Sequence, residues 1–302
     1  MTTAIAVARN TPRWHRPLLV LTGVMAVLAI VTGIRIFADP RVLTGLPIWT
    51  KPFKFAVSLG LYGLTLAWML SVLPRRSRPA EWAAVVIVAV SVIEEAIIVV
   101  QAVRGTTSHY NETSSFNAAL WKAMGVSIMC LFIGHLVIGV AALRQRIPDR
   151  GNAYGIRFGL GLSLLGMLAA VPMVIPRGEP EIDGVAGAHS VGLPDGGPGL
   201  PFVGWSTTGG DLRIGHFVGL HALQALPLLA FLLYRRGLDE RTRARLILVF
   251  GCAYGVLNVL VTWQALRAQP LLKPDVVTLA SWAALAVATA AAATLVLRKR
   301  AA

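Results

Sequence analysis

"IIVVQAVRGTTSHYNETSSF", residues 97–116, runs from a purely apolar stretch into a loop carrying Arg104, His109 and Glu112. The apolar part closes a run of about 20 residues, the length a helix needs to cross a bilayer. Scanning outward from it gives eight such runs, at roughly 17–37, 53–73, 82–103, 119–143, 156–176, 215–234, 246–266 and 277–298. Of the 302 residues, 56% are hydrophobic and 14% charged, and mean hydropathy is +0.68. Soluble domains carry about 25% charged residues. The expected fold is an all-α integral membrane protein with eight transmembrane helices, and the bilayer is its first partner.

A net charge of +14 invites a nucleic-acid reading, but its placement argues against one. When loops are assigned alternately to two sides, one side holds 18 of the 28 basic residues. These are Arg9, Arg13 and Arg16, the 75/76/78 cluster, Arg144 to Arg157, Arg235 to Arg245, and the Arg298–Lys299–Arg300 end. The positive-inside rule places both termini in the cytoplasm, as expected for a multi-pass protein of a bacterial plasma membrane. Residues 1–16 form a cytoplasmic N-terminus, and the first run is too long for a cleaved signal h-region. Cys130 and Cys252 fall inside spans and imply no disulfide framework.

The tetrapeptide Gln101-Ala102-Val103-Arg104 returns as Gln264-Ala265-Leu266-Arg267, 163 residues on. Lys54-Phe55 and His216-Phe217, Trp121 and Trp282, and the Arg pairs at 75/76 and 235/236 keep nearly the same offset. "GLP" stands before the second run (45–47) and before the sixth (199–201). The pattern implies a tandem 4+4 repeat, 17–150 and 151–302. Four spans return the chain to its starting side, so the halves share one orientation, as in parallel-repeat transporters. The second half adds a Gly- and Pro-rich outer loop, 177–213, bearing Glu179, Glu181, Asp183 and Asp195. Long loops of this kind serve as lids or binding loops, or as solvated connections.

Candidate chemistry follows from polar groups that a bilayer disfavours. Glu94 and Glu95 lie within the third run, where a charged carboxylate costs about 3 kcal/mol. The pair suits proton exchange; the plainer role is a hydrogen bond to a neighbouring helix. Lys54, Ser58, Tyr62 and Thr65 form a polar stripe at helical spacing, and His216 and Gln224 occupy the positions matching Lys54 and Tyr62. Such stripes line a cavity between halves or bond helices together. Gln101, Arg104 and Arg267 then complete a ligand-binding set with Lys54, Tyr62 and Gln224. The arginines either receive an anionic group or cap helix ends.

His109, His216 and His221 are the candidate metal or haem ligands of a redox alternative. His216 and His221 are five residues apart and share no helix face. His135 reads as a structural histidine, His15 as a surface residue and His189 as an exposed loop residue. No P-loop, HExxH, CxxC or GxSxG motif occurs. Two functions remain: a proton-coupled transporter or permease of a small anionic or zwitterionic solute, and a membrane-embedded metal- or haem-binding enzyme. The sequence names neither a cofactor nor a substrate.

Overall fold

The computed structural model describes residues 14–175 and 183–301, with backbone alone at the last three. Arg9, Arg13, Glu179 and Glu181 lie outside the described residues, as do the side chains of Lys299 and Arg300. Eight long helices carry the chain: α1 (Arg16–Ala38), α2 (Thr50–Val72), α3 (Arg78–Val103), α4 (Ser115–Leu143), α5 (Arg150–Leu168), α6 (Arg213–Arg235), α7 (Glu240–Leu266) and α8 (Val276–Ala301). With a 3-10 turn at Val171–Val174 extending α5, all eight are long and apolar enough to cross a bilayer. The chain is a multi-pass membrane protein.

Helix starts fall one to six residues ahead of the apolar runs, because polar caps belong to the helix although they are not hydrophobic. Ser114, Asp149 and Asp239 accept hydrogen bonds from the backbone N–H groups of Asn117, Asn152 and Thr242, each satisfying a donor with no partner inside its helix. His15 does the same for α1, accepting from Leu18 N–H, and is buried. Its expected surface position is therefore corrected: a ring nitrogen is tied to the helix start. The fifth apolar run also ends early. Helix α5 stops at Leu168, and the 3-10 turn contains Pro172, which disfavours helical geometry at the residue before it.

Within the first four helices, α1 packs on α2 and α3, α2 on α3, and α3 on α4. Within the last four, α5 packs on α6 and α7, α6 on α7, and α7 on α8. The two groups meet where α4 touches α5 and where α2 touches α6. The largest apolar core joins Leu66, Met69, Ile87 and Ile138 to Ile156, Leu160 and Leu223. Val20, Val24, Val27, Ile30 and Ile34 of α1 are exposed, as expected for a helix surface solvated by lipid. Cys130 and Cys252 are free thiols.

One buried polar hub crosses this core. His135, fully buried, meets Leu160 O at 3.1 Å and Ser163 Oγ at 2.9 Å through Nε2. A carbonyl only accepts, so Nε2 carries the proton and Nδ1 accepts from Tyr62 Oη at 2.8 Å. The hub joins α2, α4 and α5, which is why a histidine stands in an otherwise apolar span.

Short strands finish the loop-bearing face. β1 (Val42–Leu43) pairs antiparallel with β2 (Leu46–Pro47), and β3 (Ser190–Val191) with β4 (Gly210–Asp211). Asn111 bridges Val185, and Gly199 bridges Ser206. The long loop is folded onto the bundle end over its described part.

Candidate functional site: a buried polar centre beneath the loops

The repeated tetrapeptides close the C-terminal ends of α3 and α7 with the same geometry. Gln101 and Gln264 are buried, and each donates from Nε2 to a carbonyl six residues ahead, Thr107 O at 3.1 Å and Pro270 O at 2.8 Å. The chain turns through positive φ at Gly105 (φ 77°) and Ala268 (φ 57°), the left-handed position that ends many helices. Arg104 then donates to Gln101 Oε1 and Asn117 Oδ1 and lies over the Phe116 ring. Arg267 donates to Asp275 and Thr278 Oγ1 and lies over Trp263. Both guanidinium groups are tied by side-chain hydrogen bonds to the start of the following helix. Leu in place of Gln101 is expected to destabilise the protein by about 1–3 kcal/mol, since Thr107 O and Arg104 lose a buried partner. Thermal unfolding of the purified Gln101→Leu protein measures it, and an unchanged midpoint would remove the assignment.

The polar stripe on α2 divides between three partners. Lys54 Nζ donates to Val203 O of the long loop at 3.1 Å, Tyr62 belongs to the His135 hub, and Thr65 Oγ1 accepts from Gln224 Nε2 at 3.3 Å. That last bond joins α2 to α6, while Gln224 Oε1 stays buried without a partner among the described residues.

Lys51, one turn earlier and absent from the sequence-based set, stands closer to the centre. It is surrounded by protein atoms and lies within electrostatic range of Arg213, Lys54, Asp195 and Glu94. Among the described residues it makes no ion pair and no hydrogen bond. It keeps accessible surface, as do His109 and His216, which are equally enclosed. Arg213, by contrast, is committed. It donates to both oxygens of the fully buried Asp211 and to Gly204 O.

Below this centre lie Ser91, Glu94 and Glu95, all buried on one side of α3. Glu94 Oε1, both Glu95 oxygens and Ser91 Oγ have no hydrogen-bond partner among the described residues. At the position matching Glu95, Asn258 donates to Gly215 O and is satisfied on that bond. The carboxyl pair is the least compensated polar group in the core.

The roof comes from two loops. His189 is only 21% exposed and donates from Nδ1 to Asp195 Oδ2 at 2.6 Å, which corrects its expected exposure. Asp195 also accepts from the backbone N–H groups of His189 and Ser190, so its carboxylate knots the loop. Tyr110 stacks edge-on against His189 and Trp121, each at 5.0 Å. His109 packs against Phe55 at 5.6 Å and Trp121 at 5.8 Å, and lies within electrostatic range of His189 and His216. His216 donates from Nδ1 to Gly166 O at 2.8 Å. His221 is exposed on another face of α6. Among the described residues, no three His, Cys, Asp or Glu side chains converge as a metal-ligand set.

Burial holds His109 well below the ordinary histidine value, with repulsion from Lys51, His189 and His216 adding to it. Burial also lowers His189, and its hydrogen bond to Asp195 offsets only part of that. Burial alone would raise Asp195, but the donors from His189 and Ser190 outweigh it and hold the carboxyl below the usual range. With His189 neutral, Asp195 is held by N–H donors. A depressed histidine contributes stability that is complete above its unfolded value, about 6.5, and lost as pH falls below it. Asp195 contributes nothing to that window, because its own loss begins only near an unfolded carboxylate value of about 4. Backbone hydrogen exchange in 183–212, corrected for intrinsic rate, is therefore expected to speed up between about pH 7.5 and about pH 5.5. The groups facing the histidines are Lys51, Asp195, Arg213 and His216, and the double change His109→Gln/His189→Gln should flatten the response. Equal protection at both pH values would contradict it.

No protein-family model, no curated protein and no solved structure matches the chain.

Proposed function

We propose that the protein is a proton-coupled carrier of a small anionic or zwitterionic solute, taken up in the polar centre between Lys51 and Glu94. One observation carries this reading. Lys51, without a partner among the described residues, lies within electrostatic range of Glu94, one of two adjacent buried carboxyls with unpartnered oxygens. Membrane interiors charge heavily for such groups, and where they persist they mark ion or substrate pathways. Lys51 supplies the contact for an anionic group. Glu94 and Glu95 exchange the coupling proton, and Tyr62, Gln224 and His216 border the path.

The carrier is a tandem duplication, 17–150 and 151–302, with both termini in the cytoplasm of a plasma membrane. Support comes from the matching neighbour pattern of α1–α4 and α5–α8, from the common geometry at Gln101/Arg104 and Gln264/Arg267, and from the basic residues gathered at the terminal face. Contact between α2 and α6, which are equivalent under the duplication, fits a pseudo-twofold axis passing between them. Arg104 and Arg267 then act as end clamps on equivalent helix hairpins. The redox alternative would draw on His109, His216 and His221, but His221 is exposed on another face of α6 and no three His, Cys, Asp or Glu side chains converge among the described residues.

The test is uptake of small carboxylates and amino acids (acetate, succinate, glycine and glutamate) into proteoliposomes, with and without an imposed proton gradient. Gradient-dependent uptake of any one supports the carrier. Absence of uptake, together with no thermal stabilisation by any of the four, overturns it.

A further inference from the structure

At the opposite end of the bundle, where α1 begins and α8 ends, a groove of about 450 Å³ opens between the start of α3 and the end of α4. Leu136, Val137 and Val140 form its apolar wall, and Ser77, Arg144 and Gln145 its polar end. The polar end is structured. Gln145 Oε1 accepts from Arg75 N–H at 2.8 Å, and Gln145 O accepts from Arg157 at 2.9 Å. Ser77 stands at the cap position of α3, but its hydroxyl makes no capping bond.

The charge around this groove is mainly positive, with Glu81 in the first turn of α3 the nearby acid. Arg75, Arg76 and Arg78 flank Ser77, Arg146 follows Gln145, and all four are exposed along with Arg144. Among the described residues, none of the five forms an ion pair with a carboxylate. Elsewhere on the same face Arg243 binds Asp149 and Arg150 approaches Glu240, while Arg235, Arg236, Arg241 and Arg245 are likewise without a carboxylate partner among the described residues. What sets the groove apart is that its five unpaired arginines stand beside an apolar wall at the helix ends.

We infer that this groove is a binding site for an anionic phospholipid, with an acyl chain along Leu136, Val137 and Val140 and the headgroup phosphate held by Arg144 and the neighbouring arginines. A free phosphate would use the arginines but not the apolar wall. A zwitterionic lipid would use the wall while its ammonium met repulsion. Only an anionic lipid matches both parts, and juxtamembrane basic clusters favour such lipids. This site is independent of the solute reading.

Native mass spectrometry of the full-length protein, supplied with phosphatidylglycerol and phosphatidylcholine of identical chains, tests it. Retention of at least one phosphatidylglycerol, favoured over phosphatidylcholine by about fivefold or more, is expected. Arg144→Gln/Arg76→Gln should remove that preference, whereas Arg235→Gln/Arg236→Gln, equal in charge but away from the groove, should keep it. Val140→Trp fills the apolar wall without altering charge and should displace the retained lipid. No preference in the unaltered protein, equal losses in the two double variants, or undiminished retention in Val140→Trp would each overturn the inference. Competition by glycerol phosphate at the same concentration as the lipid would also overturn it.

Discussion

Valine in place of Gly219 is expected to prevent the protein from folding into a stable, monodisperse species. Helices α5 and α6 make the most intimate contact in the bundle, and small residues make it possible. A Cβ at Gly219 would fall inside the van der Waals shell of Gly166 Cα, and one at Gly166 would meet the backbone of Gly219 and Leu220 at 2.5 Å. About two and three turns back along α5, Cβ atoms at Gly159 and Gly155 would press on Ala222 O at 3.2 Å and on Leu226 O at 3.2 Å. Lipid offers helices little hydrophobic drive to associate, so close packing carries much of their affinity. Overpacking costs about 1–3 kcal/mol where side chains can adjust. Here the obstacle is backbone, and relief requires the helices to part.

Parting them would also strain His216 Nδ1→Gly166 O, and a Cβ at Gly219 would crowd Asn258 Nδ2 at 2.8 Å. The combined cost is expected to lower the unfolding midpoint by at least about 8 °C, or to abolish recovery of the protein. Gly161 lies on the same helix, and a Cβ added there would meet nothing within 4 Å, so Gly161→Val should stay within about 2 °C of the unaltered protein. Equal behaviour of the two variants would show that the α5–α6 approach is not limiting.

The eight spans were legible because membrane hydropathy is a one-dimensional signal that needs only length and composition. Their ends were less so, since capping residues such as Asp149 and Asp239 look like loop. The paired Gln-Ala-x-Arg segments were visible as a repeat. Their role in fastening one helix end to the start of the next depends on Asn117 and Asp275, which stand in other elements or turns, and spacing alone leaves fastening and ligand binding equally open. Lys51 was not legible, for a related reason. The regular spacing 54, 58, 62, 65 selects Lys54, but Lys54 is held by Val203 across 149 residues, and no local pattern announces that contact. His189 and Asp195 looked solvated because their loop is Gly-rich; their burial comes from the Tyr110 ring and the bundle end. The four-residue spacing of Gly151, Gly155 and Gly159 was in plain view, and small residues at that spacing are a known signal for close helix contact. Such a spacing announces a contact without naming the partner helix, which only the fold supplies.

Methionine in place of Lys51 is expected to reduce solute affinity by about tenfold to a hundredfold, the loss of one charge-assisted hydrogen bond in a desolvated site. The effect should exceed that of any other single cation around the centre. Arg213 is bound to Asp211 and Gly204, so its removal would disturb the loop before it reached the solute. Lys54 is bound to Val203 O, and Lys54→Met should chiefly speed hydrogen exchange in 198–206 while affinity changes less. That contrast separates a residue that touches the solute from one that fastens the roof. Glu94→Gln keeps size and hydrogen-bonding capacity but cannot exchange a proton. In this variant solute binding should persist while accumulation no longer follows the proton gradient. Glu95→Gln should share the defect if the two carboxyls pass one proton between them, and spare it if Glu94 alone faces the path. The proposed centre would be refuted if Lys51→Met bound the solute as tightly as the unaltered protein. Retention of gradient-driven uptake by the Glu94→Gln/Glu95→Gln double variant would refute the coupling, because no other carboxyl pair without partners is buried among the described residues.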